Sequence, residues 1–456
     1  MVADFAKAGA QARSPRVQRP TAEPMAGMRI RHHHGGQSAR ERPARRGPDL
    51  PIPRSAAATV QAMSTITPAP ARRRAIYEDD HEDFRDSFRR FLAKEVVPHF
   101  EQWEKDGIVP REVFASAGAN GFLGMQVPEE YGGAGIGRDF RFNAVVGEEC
   151  CAAGVGGFGV GITLHNDVCL PYFLEYANEE QKQRWLPGIV SGELITALAM
   201  TEPGTGSDLA GIRTKAIRQD DGDYLMDGAK TFITNGINGD LIITAAKTDP
   251  KERHRGLSIF IVERDTPGFE RGRNLDKVGM HSQDTAELFF NDAKVPAANL
   301  LGAEGSGFRC MVSNLAQERM SIAVLGVGVA EAALQVTIDY VRERQAFGQS
   351  IGSFQVVRHM LADCRAEIDC AQAFVDQCVR ELGEGTLTAE RAASCKLIAT
   401  ELQGRVTDRC VQMHGGYGYM TEYAIGRMYA DARVTRIYGG ANEIMKEIIS
   451  KGMGVS

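Results

Sequence analysis

One acidic residue stands out by the company it keeps. The apolar residues Met311, Leu315, Ile322 and Leu325 recur at helical spacing, and Glu318 fills the remaining position of their stripe at steps of four, three, four and three. A carboxylate on an apolar helix face loses its hydration, which costs several kcal/mol or drives protonation instead. The spacing leaves two readings open. Glu318 is a general base whose pKa burial lifts toward working pH, or a buried ion paired with Arg319 or with a charge on another helix. Two other stretches carry groups suited to a planar ligand. "MTEPGTGSDLAG" (Met200–Gly211) joins two hydroxyls, Thr201 and Ser207, to glycines that let backbone approach closely. "KTFITNG" (Lys230–Gly236) ends a strand pattern with an aromatic and a hydroxyl, Phe232 and Thr234. Close to the C-terminus "RIYGGANEIMKEII" (Arg436–Ile449) sets Gly439 and Gly440 behind Tyr438. By composition alone, each of these would be an ordinary turn.

The elements that must position these residues fall into three parts. From Tyr77 to about Ile195 the period is helical: Phe84, Phe88, Phe91 and Leu92 recur at one-turn spacing, and "NEEQKQRWLPGI" starts at an Asn178 cap. "EEYGGAGIG" lacks the strand–turn–helix context of a dinucleotide fingerprint and reads as a turn. From about Thr196 to Val295 the texture changes to short strands, "ITALAM", "DGDYLMDGAKTFITNG", "DLIITAAKT", "LSIFIVE" and "AELFFNDAKV", separated by Asp-Gly turns. From Gly307 long helical periods return. The expected fold is therefore α+β and multidomain: a helical domain over 76–195, a small β-domain over 196–305 and a helical bundle over 306–456.

Residues 1–75 stand apart. Half of the 18 prolines lie before residue 71, and residues 1–62 carry eleven Lys or Arg against four acids with no sustained apolar period. Such a segment cannot bury enough surface to offset its ordering entropy. It reads as a transit peptide, a solvated tail, or sequence ahead of a start at Met63; "HHH" at 32–34 has no partners for a metal. In the whole chain of 456 residues, a net charge of -6 and a pI near 6.0 argue against a dedicated nucleic-acid binder. No continuous apolar run reaches the roughly 18 residues of a membrane span. Nine cysteines form no CxxC pair and no Cys–His metal spacing. Cys364, Cys370 and Cys378 fall inside helical patterns as small buried hydrophobes, which points to a reducing, cytoplasmic compartment. A mitochondrial matrix location is the alternative if residues 1–62 are a transit peptide.

The two central motifs, in this order, resemble the acyl-CoA dehydrogenases. The resemblance covers about residues 76–451 and continues through "ERQAFGQSIGSFQ", "VQMHGGYGYMTEYAIGRMYADARV" and "IYGGANEIM". It implies an FAD flavoenzyme that forms a trans-2-enoyl-CoA, built from helical, β- and four-helix domains and assembled as a homotetramer. It also implies roles for individual positions. Met200, Thr201, Ser207, Phe232, Ile233 and Thr234 line the flavin, with Ser207 also facing substrate. Arg344, Gln355 and the loop Gln412, Met413, His414, Gly415 and Gly416 hold the pyrophosphate and adenosine portion of a neighbouring subunit's cofactor. Ala441, Asn442 and Glu443 return to the flavin, and Tyr438, Gly439 and Gly440 border the substrate.

Members of the family often carry their catalytic glutamate directly after the tyrosine, where this chain has Gly439. "LAQERMSIA" with "IYGGANEIM" is similar instead to the long-chain branch, and to the isovaleryl branch, where the base sits on the earlier helix in an "ER" pair. The resemblance thus assigns Glu318 as base, with Glu443 as its rival, and brings Arg319 toward the CoA end. In the family the backbone N–H after the tyrosine, here that of Gly439, and the flavin ribityl 2′-hydroxyl stabilise the developing enolate. The implied activity is dehydrogenation of medium-to-long acyl-CoA, with electrons passed to an electron-transferring flavoprotein. The alternatives are an isovaleryl-type enzyme, an oxygen-reactive acyl-CoA oxidase, and a silent CoA-binding scaffold.

Overall fold

The computed structural model describes residues 74–455. The expectations placed on residues 1–73, including the start at Met63 and the histidine run, lie outside the described residues. Arg74, which the sequence reading assigned to the tail, belongs to the fold: its guanidinium pairs with Glu148 and stands 3.3 Å from Asp376.

The first part is helical: α1 (Asp79–Phe91), α2 (Val97–Asp106), α3 (Arg111–Ala119), α4 (Arg141–Ala152), α5 (Gly156–Thr163), α6 (Leu170–Tyr176) and α7 (Glu179–Ser191). The aromatic stripe of α1 forms its core. Phe88 is buried, with its ring centroid 4.9 Å from that of Phe122. Asn178 caps α7 in a reciprocal box with Gln181. The "YGG" stretch is a close-packed turn, because a side chain at Gly133 would meet the Val127 carbonyl at 2.1 Å. Two π-helical turns, Leu92–Val96 and Leu164–Cys169, interrupt the helices. Neither was anticipated from the residue pattern.

The β-domain is one sheet in the order β6 (Phe269–Asn274), β7 (Thr285–Val295), β3 (Tyr224–Thr234), β2 (Lys215–Arg218), β4 (Leu241–Lys247), β5 (Leu257–Glu263) and β8 (Leu300–Leu301), with β1 (Thr196–Ala199) parallel to β4. The apolar runs of β4 and β5 are buried on both faces. Leu241, Ile243, Ile259 and Ile261 pack with Leu170, Trp185 and Leu186 of the helical part, and Ile242, Phe260 and Val262 pack within the sheet. The short, charged β2 and β6 were not anticipated; the ladders with β3 and β7 define them.

The last part holds α8 (Gly307–Glu343), a two-stranded turn of β9 (Gln345–Ala346) and β10 (Gln349–Ser350), α9 (Gln355–Gly383), α10 (Ala389–His414), α11 (Ala424–Ala432) and α12 (Asn442–Gly452). Met320, Val324 and Val327 of α8 share a core with Cys364 and Ile368 of α9 and with Ala399, Leu402 and Val406 of α10. By length and composition α8 is apolar enough to cross a bilayer, although no continuous apolar run in it reaches that length, because a few polar residues interrupt its apolar runs without lowering the mean. Here 67% of its most apolar window is buried inside the protein. Of the nine cysteines eight are buried. Cys370 is exposed, against expectation, because it falls on the outer face of α9.

Candidate active site

Glu318 lies on α8 in the stripe its spacing predicted, with Met311, Ile322 and Leu325 buried around it. Among the described residues its carboxylate has no hydrogen bond and no ion pair. Burial raises its pKa, while the more distant charges of Arg319 and Lys396 pull it back. The buried-ion alternative therefore lacks its partner. Arg319 is itself buried, its Nε without a hydrogen bond and its pKa lowered by desolvation. A Cβ built on Gly439 would stand 3.4 Å from Glu318 Oε1. Two positions 121 residues apart in the chain thus address the same small volume.

The rotation of α8 is fixed on both sides of Glu318. Asn314 donates to the Val168 carbonyl at 2.8 Å, Gln317 to the Asp167 carbonyl at 2.8 Å, and Ser321 Oγ to Asp167 Oδ2 at 2.5 Å. All three acceptors sit on the π-turn Leu164–Cys169, whose widened backbone offers groups a regular helix would spend internally. Asp167 also accepts from Asn143 at 2.6 Å, and burial pushes its carboxyl up to about 6.

Gly439 and Gly440 take left-handed φ of 60° and 86°, which glycine adopts without strain. The turn they form is tied to α10. Lys396 Nζ donates to the Gly440 carbonyl at 2.6 Å and to Asn442 Oδ1 at 3.3 Å. Asn442 Nδ2 donates to Thr400 Oγ1 at 3.1 Å and to Glu401 Oε1 at 2.8 Å. The Asn442 side chain is thus buried against α10, with its amide and its oxygen both engaged there. Glu443 is exposed in the first turn of α12, unlike Glu318. Tyr438 packs with Cys151, Met280 and Leu325, and burial holds its phenol neutral.

The β-domain loops form a second wall. Met200 packs against the apolar cluster that includes Cys310 and Met311 of α8. The Thr201 carbonyl accepts from Thr231 N at 3.0 Å. Lys230, fully buried, donates to the Met200 carbonyl at 3.1 Å and to Glu202 Oε1 at 2.9 Å, and Glu202 accepts from the Arg213 and Thr214 amides. The strand bulges after Lys230, giving Phe232 a φ of 60° and leaving its ring 67% exposed while Ile233 is buried. A strained, exposed aromatic is costly unless something flat covers it. Thr234 is half-buried, and Ser207 is exposed on the loop before β2.

A separate cavity of about 590 Å³ is lined by Tyr340, Arg344, Ile351, Tyr417, Met420 and the loop Gln412–Gly416. Gly415 ends α10 with φ of 61°, and His414 is buried in a 4.2 Å stack with Tyr340. The Arg344 guanidinium sits over the Tyr417 ring at 5.4 Å with no carboxylate partner among the described residues, as an anion site requires. Gln355 is exposed at the start of α9, outside this lining. Sequence reasoning missed Lys230, Glu202, Lys396, Asp167, Ser321 and Tyr340.

Three family models match consecutive stretches of the chain: "Acyl-CoA dehydrogenase, N-terminal domain" over residues 78–193, the middle domain over 197–293 and the C-terminal domain over 305–454. The chain belongs to the acyl-CoA dehydrogenase family. The long-chain specific acyl-CoA dehydrogenase, mitochondrial, of Sus scrofa is 45% identical over 380 residues, covering 83% of this chain and 87% of the relative. A crystal structure of acyl-CoA dehydrogenase from Geobacillus kaustophilus superposes with a TM-score of 0.80 at 51% identity, over 83% of this chain and 98% of that one. An acyl-CoA dehydrogenase from Bacillus anthracis, solved in complex with FAD, superposes with a TM-score of 0.76 at 33% identity, over 83% of this chain and 67% of that one. The protein is a flavin-dependent oxidoreductase with FAD as cofactor. The exposed Phe232 and the unpaired Arg344 in its glycine-edged cavity fit an aromatic ring system and a pyrophosphate.

Proposed function

We propose that the chain dehydrogenates medium-to-long straight acyl-CoA thioesters to trans-2-enoyl-CoA, with Glu318 as the base. The observation that carries this reading is a carboxylate without a hydrogen bond or ion pair, held against the Gly439 turn on a rotationally fixed helix. Glu318 takes the α-proton, and desolvation gives its carboxylate a pKa nearer to working pH. The Gly439 amide donates to the thioester oxygen as negative charge develops there, and a rigid donor needs no reorganisation. Met200, Thr201, Ser207 and Phe232–Thr234 hold the flavin ring; Arg344, Gln355 and Gln412–Gly416 hold the dinucleotide end, and Ala441–Glu443 close the site. Bound FAD supplies the hydride acceptor. Ser207, Arg319, Tyr438 and Gly440 border the thioester.

This reading includes a homotetramer, and the span of α8 supports a site shared between subunits. Glu318 and Arg344 are separated along one helix by about 39 Å at 1.5 Å per residue, too far for one dinucleotide to touch both. Arg344 then serves a neighbouring subunit's cofactor. Electrons leave to an electron-transferring flavoprotein, in the cytoplasm, or in the mitochondrial matrix if residues 1–62 are a transit peptide.

The test is an acyl-CoA panel, C4 to C20 and branched, read by anaerobic flavin bleaching for the wild type and Glu318→Gln. The amide is nearly isosteric and cannot take the proton, so bleaching should slow about 10²–10⁴-fold with FAD and acyl-CoA still bound. Bleaching at the wild-type rate would remove Glu318 as base, and fastest turnover of isovaleryl-CoA would replace the straight-chain assignment.

A further inference from the structure

Lys396 is fully buried, yet no carboxylate lies within ion-pair distance of it among the described residues. Among the described residues the other fully buried lysine, Lys230, has Glu202 at 2.9 Å. An unpaired buried cation is a liability to a fold unless its charge or its hydrogen bonds are used. Both of the Lys396 bonds end on the turn that follows Gly439, at the Gly440 carbonyl and at Asn442 Oδ1.

We propose that Lys396 is the positioning residue of the site: it holds the Gly439 amide in place from behind and supplies a fixed positive charge facing Glu318. The inference rests on the dehydrogenase reading above. During reaction one negative charge passes from the Glu318 carboxylate to the thioester oxygen, and a cation behind the turn favours both places over the protonated pair. The groups facing Lys396 are Glu318 and Arg319 of α8, Glu443 of α12 and Glu401 of its own helix. Those near Glu318 include the phenols of Tyr172 and Tyr438, both neutral because burial raises them, and the Cys169 thiol, raised to about 12. Desolvation brings Lys396 down to about 8, so it is charged at neutral pH.

The experiment uses the FAD-loaded full chain and 3-thiadecanoyl-CoA. In this analogue sulfur replaces the β-carbon, so the α C–H bond breaks and its electrons stay on the thioester as an enolate. The proton goes to Glu318, and no hydride can leave. The enolate beside oxidised flavin is read as a long-wavelength charge-transfer band, titrated against pH. The midpoint belongs to the acid–thioester pair as a unit, so loss of a nearby cation raises it whichever partner holds the charge. Lys396→Gln keeps a donor for Gly440 and loses the charge, and its midpoint should rise by about one unit or more with flavin content and analogue affinity retained. Lys396→Arg should keep the wild-type midpoint. A wild-type midpoint in Lys396→Gln, or a raised one in a folded Lys396→Arg, overturns the proposal; the second arm decides it if the Gln variant loses its flavin. Absence of both the band and enoyl-CoA formation in the wild type would instead refute the dehydrogenase reading.

Discussion

The convergence of positions 318 and 439 on one volume predicts that the base can be moved between them, at a cost set by a single methyl group. In Glu318→Gln with Gly439→Glu, the new Cβ would lie 2.2 Å from Ile322 Cδ1 and 3.4 Å from the old carboxylate oxygen. A side chain at φ of 60° costs about 1–2 kcal/mol, and the overlap with Ile322 costs about 1–3 kcal/mol. Against a typical stability of about 5–15 kcal/mol, that double variant folds but holds its glutamate badly. Ile322→Val deletes the overlapping Cδ1, itself at about 0.5–1.5 kcal/mol. If about 1–2 kcal/mol of misplacement is relieved in the transition state, the triple variant should bleach its flavin about 5–30-fold faster than the double. The assay is anaerobic stopped-flow bleaching at saturating acyl-CoA, with FAD content checked beforehand. A triple variant that binds FAD and acyl-CoA yet is no faster than Glu318→Gln alone would show that the two positions do not serve one reacting atom.

Lys230→Met should strand the buried Glu202 carboxylate and lower stability by about 3–5 kcal/mol. It should also weaken FAD retention, because the Met200–Glu202 loop loses its anchor; thermal melting and flavin titration check both. Asp431 predicts a pH effect. Burial, with Glu104 nearby, pushes it up to about 7 from 3.8, only partly offset by the Met280 amide and by Arg427 and Lys277. Between about pH 4 and 7 the folded state keeps a proton that the unfolded state has lost, so this group's contribution to stability falls as pH rises through that window. Asp431→Asn should therefore raise the melting temperature at pH 8 more than at pH 5, and equal shifts at the two pH values would refute the assignment.

The three-part architecture was legible because each part has its own apolar period, and Glu318 because a charge broke one of those periods. The same test applied to α10 would have found a second residue. Ala392, Lys396, Ala399, Gln403 and Val406 follow the same steps of four, three, four and three, and all are buried. Small neighbours rather than large apolar ones made that stripe inconspicuous. Lys230 also sits on the inward register of β3, with Tyr224 and Met226. The π-turn that carries Asp167 had no such signature, since its extra residue is imposed by the helices packed around it. The edge strand β6 and the short β2, which lies between β3 and β4, were missed because their charges face solvent and only their ladders define them. Arg319 was placed by resemblance alone, and its burial without a hydrogen bond is visible only in three dimensions.

The distribution of thiols makes the protein its own reporter. Eight of nine cysteines are closed off in the folded chain, and only Cys370, on the outer face of α9, meets solvent. A maleimide dye should therefore attach once per chain under native conditions, on a helix far in sequence from the base. Chemical labelling would then count unfolding: each molecule that opens offers up to eight more sulfurs, so the stoichiometry of modification measures the unfolded fraction without any optical change in the flavin.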